Sequence, residues 1–186
     1  MQRPAFLLIL VVLALLAGCS GQPAATDQPE EAPMTLTLTS TAFADGEPIP
    51  DQYSCWGAGM SPPLAWSGAP AETKSFALIV DDPDAPSGTY VHWVIYNIPS
   101  SSTGLAEAVA PDAQLSDGSM QGTNSSRRTG FTSPCPPSGT HRYYFKLHAL
   151  DAVLDLASGA SKDQLLKAMQ GHVLAQGELM GTVTSR

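Results

Sequence analysis

Three short clusters hold the residues best suited to chemistry. Asp81-Asp82-Pro83-Asp84-Ala85-Pro86 follows directly on an apolar run and sets three carboxylates beside two prolines. Each proline locks its own φ and restricts the residue before it, so this turn is stiff. His92 lies inside the next apolar run, where a buried imidazole needs a hydrogen-bond partner that a carboxylate across the turn could supply. The third cluster, Pro134-Cys135-Pro136-Pro137-Ser138-Gly139-Thr140-His141-Arg142-Tyr143, delivers a second histidine to the mouth of a strand. Taken singly, each has a plainer reading, as a satisfied core histidine or an ordinary Asp-Pro turn. Together they supply what a small polar pocket requires. Imidazoles and loop amides donate to phosphate or carboxylate oxygens, while the aspartates orient the imidazoles or meet an ammonium group. His148 and His172 have no motif around them and read as structural or surface residues.

The elements that must position these clusters are mostly strands. Met34 to Thr39 alternates apolar and β-branched polar residues, the period of a half-buried strand. Ser75 to Val80 and Val91 to Tyr96 are nearly continuous apolar runs bounded by Pro, Gly and Asp, which predicts central strands covered on both faces. Arg142 to Leu150 predicts a fourth. One helix is expected, capped by Ser161 with Gln164 completing a capping box, carrying Leu165, Leu166, Met169, Val173 and Leu174 on its apolar face and ending at Gly177. Many strands and few helices predict a mostly-β fold, a sandwich or barrel-like core with peripheral helices.

Ahead of this body stands a different kind of segment. Arg3, an apolar run from Phe6 to Leu16 and the small residues Ala17 and Gly18 before Cys19 have the layout of an export signal. Leu16-Ala17-Gly18-Cys19 resembles the bacterial lipobox, in which the cysteine is diacylated and the chain is cut just before it. The expected organisation is a signal peptide over 1–18, a lipid-bearing Cys19 with a flexible Pro-, Ala- and Glu-rich tether over 19–33, and one domain over 34–186. The protein is then exported and membrane-anchored on the periplasmic side of a bacterial membrane, and Ser20 is of the residue class that permits transfer to an outer membrane.

Composition narrows the function. Of 186 residues, nine are Lys or Arg against 17 Asp or Glu, a net charge of -8, so a surface that tracks nucleic-acid phosphates is excluded as the default partner. No Gly-x-Ser-x-Gly elbow marks a hydrolase, and Ser133 and Ser138 neighbour His141 in sequence only. His92, His141, Asp82 and Asp84 are of metal-ligating types but lack short ligand spacing, so neither a metal nor another cofactor is expected.

The same residues carry a family resemblance. Asp82-Pro83-Asp84-Ala85-Pro86, His92-Trp93 and Pro136-Pro137-Ser138-Gly139-Thr140-His141-Arg142-Tyr143 resemble the two signature regions of the phosphatidylethanolamine-binding protein family. Ser61-Pro62-Pro63-Leu64-Ala65-Trp66 and Gly122-Thr123-Asn124 resemble further segments of its bacterial, Raf-kinase-inhibitor-like branch. The resemblance implies a β-sandwich with flanking helices and a ligand pocket lined by Asp82, Asp84, His92, Pro136, Pro137, His141 and Tyr143. It implies a non-catalytic binder of phosphate, carboxylate or phosphorylethanolamine-like groups. The alternatives are an inhibitor of a protease or other extracytoplasmic protein acting through the pocket rim, or a small-molecule hydrolase. Ser133 stands where many members have Gly, Met60 where Asn usually precedes Ser-Pro, and Ser125-Ser126-Arg127-Arg128 departs from the branch pattern; the two arginines read as an exposed face. With Cys19 taken by lipid, Cys55 and Cys135 remain beside the segments assigned to the pocket, and export to an oxidising compartment predicts a disulfide between them; two buried free thiols are the alternative.

Overall fold

The computed structural model describes residues 34–186, so the signal-peptide, Cys19 and tether readings lie outside the described residues. In chain order the strands are β1 (Met34–Thr35), β2 (Thr37–Thr39), β3 (Leu64–Ser67), β4 (Ser75–Asp82), β5 (Tyr90–Pro99), β6 (Gly104–Leu105), β7 (Met120–Gln121), β8 (Thr140–Leu150) and β9 (Val173–Thr184). The helix α1 (Lys162–Ala168) lies between the last two strands. A six-stranded sheet runs β1-β9-β8-β4-β5-β7 and a three-stranded sheet runs β2-β3-β6. Only the β1–β9 pair is parallel among these ladders.

Period-two alternation explains why the central strands read as unbroken apolar runs. From β4, Phe76, Leu78 and Val80 enter a core shared with Leu38, Leu64 and Trp66 of the small sheet, which makes the architecture a sandwich. The alternate residues Ala77 and Ile79 enter a second core against Leu165 and Met169 at the helix. β5 divides the same way, with Trp93 and Ile95 on one side and Val94 and Tyr96 on the other. The mostly-β expectation holds, and the domain's layers follow from which faces of these strands are covered.

Two expectations about single elements do not hold. Met34 to Thr39 is not one strand: the chain crosses at Leu36, so β1 pairs with β9 and β2 with β3. The helix keeps its capping box, with Gln164 N–H donating to Ser161 Oγ and Ser161 N–H donating to Gln164 Oε1, but it ends at Ala168 and not at Gly177. Gly171, at φ 77°, turns the chain back, and Val173 and Leu174 open β9. Gly177 and Gly181 sit inside that strand because other segments press on it. A Cβ at Gly177 would stand 2.6 Å from Leu36 O, and one at Gly181 2.5 Å from Ile49 Cγ1. Those contacts join residues more than 130 positions apart, which no local pattern reveals.

Candidate functional site

The β4–β5 turn and the start of β8 meet at one end of the large sheet, around a cavity of about 340 Å³. β4 ends in Asp82, 3 % exposed, and β8 begins one residue before His141, 6 % exposed. Alternation along β8 points His141 and Tyr143 to the same side, and Arg142 to the other. His141 Nδ1 lies 2.7 Å from Asp82 Oδ2. A carboxylate only accepts, so this nitrogen carries the proton and donates. Asp82 Oδ1 takes a second bond, 2.8 Å, from the backbone N–H of Asp84.

His92 is held differently. Val80 faces Trp93 and Asp81 faces Val91, so His92 is the extra residue of a β-bulge in β5. Bulges commonly re-aim a side chain beside a functional site. Its Nδ1 meets Thr132 O at 2.7 Å, on a loop forty residues away, and not the carboxylate expected across the turn. The carbonyl accepts, so Nδ1 is again the protonated nitrogen. The ring packs between Tyr90, centroids 4.8 Å apart, and the edge of Tyr143, 5.2 Å apart. Burial lowers the His92 pKa below the ordinary imidazole value, and the Thr132 bond and Asp82 charge only partly oppose it. At neutral pH His92 is therefore neutral, with Nε2 a lone-pair acceptor.

Tyr143 is fully buried and its hydroxyl has no hydrogen-bond partner. Burial first, then the charges of Asp82 and Asp84, raise its pKa, so it stays a phenol and a donor. The Tyr143 ring lines the cavity with its hydroxyl shut off from the open space, and the two imidazoles have used their Nδ1 atoms and keep Nε2. Such a wall can donate to a ligand oxygen, accept a ligand proton, and hold both in a fixed orientation.

Of the residues singled out from sequence, Asp82, His92, Pro137, His141 and Tyr143 line this cavity together. Asp84 and Pro136 do not line it, which corrects their assignment to the lining. Pro136 is buried behind the wall. Asp84 is engaged by Arg142, accepting from its Nε at 2.9 Å, its Nη2 at 2.7 Å and its backbone N–H at 3.0 Å. Those bonds, the guanidinium's first, hold the Asp84 pKa at about 2. Three of its four lone-pair sites are thus taken by Arg142, and it ties the turn to β8.

Ala85, Pro86, Tyr90, Thr132, Ser133 and Cys135 also line the cavity without having been singled out as ligand contacts. Tyr90 was within reach of a sequence argument, since it stands two residues before His92 on one strand. Thr132 was not, because only tertiary packing brings it to His92. Cys55 and Cys135 are joined by a disulfide with Cα atoms 5.3 Å apart, and the bridge places Cys135 in the cavity wall. Arg127 and Arg128 are exposed. His148 is half-buried on the outer face of the sheet, its pKa lowered to about 4 by burial and then by Lys146. His172 pairs with Asp151 at 2.8 Å, with both side chains exposed. Among the described residues, no group of three or more His, Cys, Asp or Glu is placed to hold a metal ion.

Comparison with known proteins decides the family. The family model for phosphatidylethanolamine-binding protein matches residues 39–184. The chain belongs to the phosphatidylethanolamine-binding protein family. A UPF0098 protein of Methanothermobacter thermautotrophicus is 56 % identical over 146 residues, covering 78 % of this chain and 97 % of that one. A UPF0098 protein of Chlamydia muridarum is 49 % identical, covering 79 % and 97 %. The crystal structure of CT736 from Chlamydia trachomatis, described as a homologue of phosphatidylethanolamine-binding protein, superposes with a TM-score of 0.76 at 46 % identity, covering 82 % of this chain and 99 % of that one. YbcL of E. coli, described as a member of the mammalian family, superposes with a TM-score of 0.74 at 32 % identity, covering 81 % and 99 %. The fold of this family member is thus the family fold, and the match spans every element around the cavity.

Proposed function

We propose that this family member is a non-catalytic, membrane-anchored binding protein whose cavity takes a small phosphate, carboxylate or phosphorylethanolamine-type group. The observation that carries the reading is the pair of imidazoles, His92 and His141, locked at Nδ1 side by side in the wall of a cavity of a size for a small ligand. The protein's charge of -8 repels anions at long range, so affinity must come from short-range donors in a partly dry site, each worth roughly 1.5 to 3 kcal/mol to a charged group. A few donors of that strength give micromolar to millimolar binding. Among the described residues, no serine hydroxyl or thiol is hydrogen-bonded to His92 or His141, which favours binding over nucleophilic catalysis.

The sign of the pH dependence follows from proton positions. Neutral His92 offers a lone pair at Nε2, which an anion oxygen cannot use. Contact requires either an imidazolium or a phosphate that itself carries a proton. Inorganic phosphate already carries a proton at neutral pH and can donate it to Nε2 without uptake. The phosphate monoester of phosphorylethanolamine, which loses its last proton at a pH of about 6, must gain one or meet an imidazolium, so its affinity weakens as pH rises, by at most about tenfold per unit. Histidine NMR on the full chain in detergent micelles, titrated with inorganic phosphate and with phosphorylethanolamine at pH 5.5 and 7.5, tests this. The expected result is tighter phosphorylethanolamine binding at pH 5.5 and loss of the shifts for both probes in His92→Ala and His141→Ala. Shifts that survive both substitutions would place the ligand elsewhere.

Anchoring rests on the Leu16-Ala17-Gly18-Cys19 pattern and on the tether that follows it. Among the described residues, no helix is long and apolar enough to cross a membrane. Two or three acyl chains on one cysteine hold a protein at a membrane stably where a single chain does not. Wild type is expected in the membrane fraction and Cys19→Ala outside it. Equal partition of the two would remove the anchor.

A further inference from the structure

We propose that Asn124, which lies outside the cavity lining, is the positioning residue that fixes the orientation and tautomer of His92. This rests on the cavity being the binding site, as above, but its test needs no ligand. Asn124 is 4 % exposed and its amide uses its full capacity in four hydrogen bonds. Oδ1 accepts from the backbone N–H of Ser126 at 2.9 Å and of Arg128 at 3.2 Å. Nδ2 donates to Gly130 O at 3.0 Å and to Thr132 Oγ1 at 2.8 Å.

These bonds reach His92 from two sides. On one, Thr132 is gripped by Asn124 at its hydroxyl, while its carbonyl accepts from His92 Nδ1 and its N–H donates to His92 O at 2.8 Å. On the other, Ser126, set by the Asn124 carbonyl, meets the Tyr90 hydroxyl through its own Oγ at 2.5 Å, and the Tyr90 ring packs on the imidazole. Between the two, Ser125 N–H donates to Val91 O, and Val91 N–H donates to Ser125 Oγ. The loop after β7 thus clasps β5 at Tyr90, Val91 and the bulged His92 in succession.

The chemical consequence is specific. A histidine without such a partner can carry its neutral-state proton on either nitrogen, whereas a fixed carbonyl at Nδ1 permits only one tautomer and leaves Nε2 as the acceptor. Asparagine suits the position because it combines an acceptor for two backbone amides with a donor for two oxygens, which neither aspartate nor a hydroxyl residue offers.

The chain has four histidines, so selective 15N-histidine labelling of the full chain in micelles resolves each ring. In the ligand-free wild type, His92 is expected as the Nδ1–H tautomer at neutral pH. In Asn124→Ala it is expected to become a mixture with substantial Nε2–H. Asn124→Asp keeps the two accepted bonds and loses the donated bond to Gly130 O, while the Thr132 hydroxyl can turn to donate to the carboxylate. It should therefore release the tautomer less than Asn124→Ala and preserve the Tyr90–His92 ring contact, read as a nuclear Overhauser effect. His141, bonded to Asp82, is the internal control and should be unchanged in both. If Asn124→Ala fails to fold, Thr132→Val removes the same grip in a near-isosteric way and is expected to shift the tautomer too. A His92 that stays purely Nδ1–H in every folded variant would overturn the proposal. Absence of phosphate binding by the wild type would instead count against the functional reading and leave the tautomer result intact.

Discussion

Replacing Cys55 and Cys135 together by serine is expected to lower the free energy of unfolding by about 4 kcal/mol. The bridge joins residues 80 positions apart, and closing a loop of that length removes about 4 to 5 kcal/mol of chain entropy from the unfolded state, less any loss to native strain. The bridge also fixes the wall of the cavity. Cys55 N–H donates to Pro134 O at 2.9 Å, so bridge and backbone bond together fasten the Pro-rich loop to the segment after Tyr53. Phosphate affinity should therefore fall with stability, since Ser133, Cys135 and Pro137 move with that loop. Urea unfolding of wild type and double variant under oxidising conditions measures the first effect. A midpoint change worth less than about 1 kcal/mol would show that the unfolded chain gains little freedom from the cut. Denatured, unreduced wild type should show no reactive thiol from these two cysteines.

Asp82→Ala and Asp84→Ala should differ sharply, although the residues are neighbours of one type. Asp82 is buried, partners the equally buried His141 and caps the turn through Asp84 N–H. Without Asp82 the buried His141 Nδ1–H has no acceptor, which costs about 1 to 3 kcal/mol, and the imidazole loses the partner that fixes its ring. Asp82→Ala is expected to lose that stability and at least tenfold in phosphate affinity. The Asp84–Arg142 pair has side chains 27 % and 51 % exposed, so solvent screens it and its loss should cost no more than about 1 kcal/mol. Asp84→Ala should leave affinity unchanged. Thermal unfolding and phosphate titration of both variants decide the matter, and equal losses would mean that Asp84 belongs to the binding wall after all. The Asp84 contribution also has a defined pH window. Its carboxyl titrates lower folded than unfolded, so what stability it provides is complete above the ordinary carboxylate range and is lost as pH falls toward about 2.

The mostly-β architecture and the central strands were legible in the sequence, as were the candidate residues for chemistry. Each of these signals is local or close to it. A strand covered on both faces is apolar along most of its length, so β4 and β5 show themselves as runs, with Asp81, Asp82 and His92 as the buried polar exceptions. A capping box needs only Ser161 and Gln164, three residues apart, and His141 is delivered by the proline-stiffened loop just before it. Tertiary structure decided the rest. β9 looks like a helical tail until β8 pairs with it and Leu36 and Ile49 press on its glycines. Which aspartate lines the cavity depended on where Arg142 landed, because a guanidinium draws the carboxylate it reaches into a forked pair. Which group holds His92 depended on a bulge that turned its ring toward Thr132, a partner supplied by a loop pinned through Asn124. Residue types and short spacings set which groups are available for chemistry, whereas hydrogen-bond pairing between distant segments sets which of them remain free to meet a ligand.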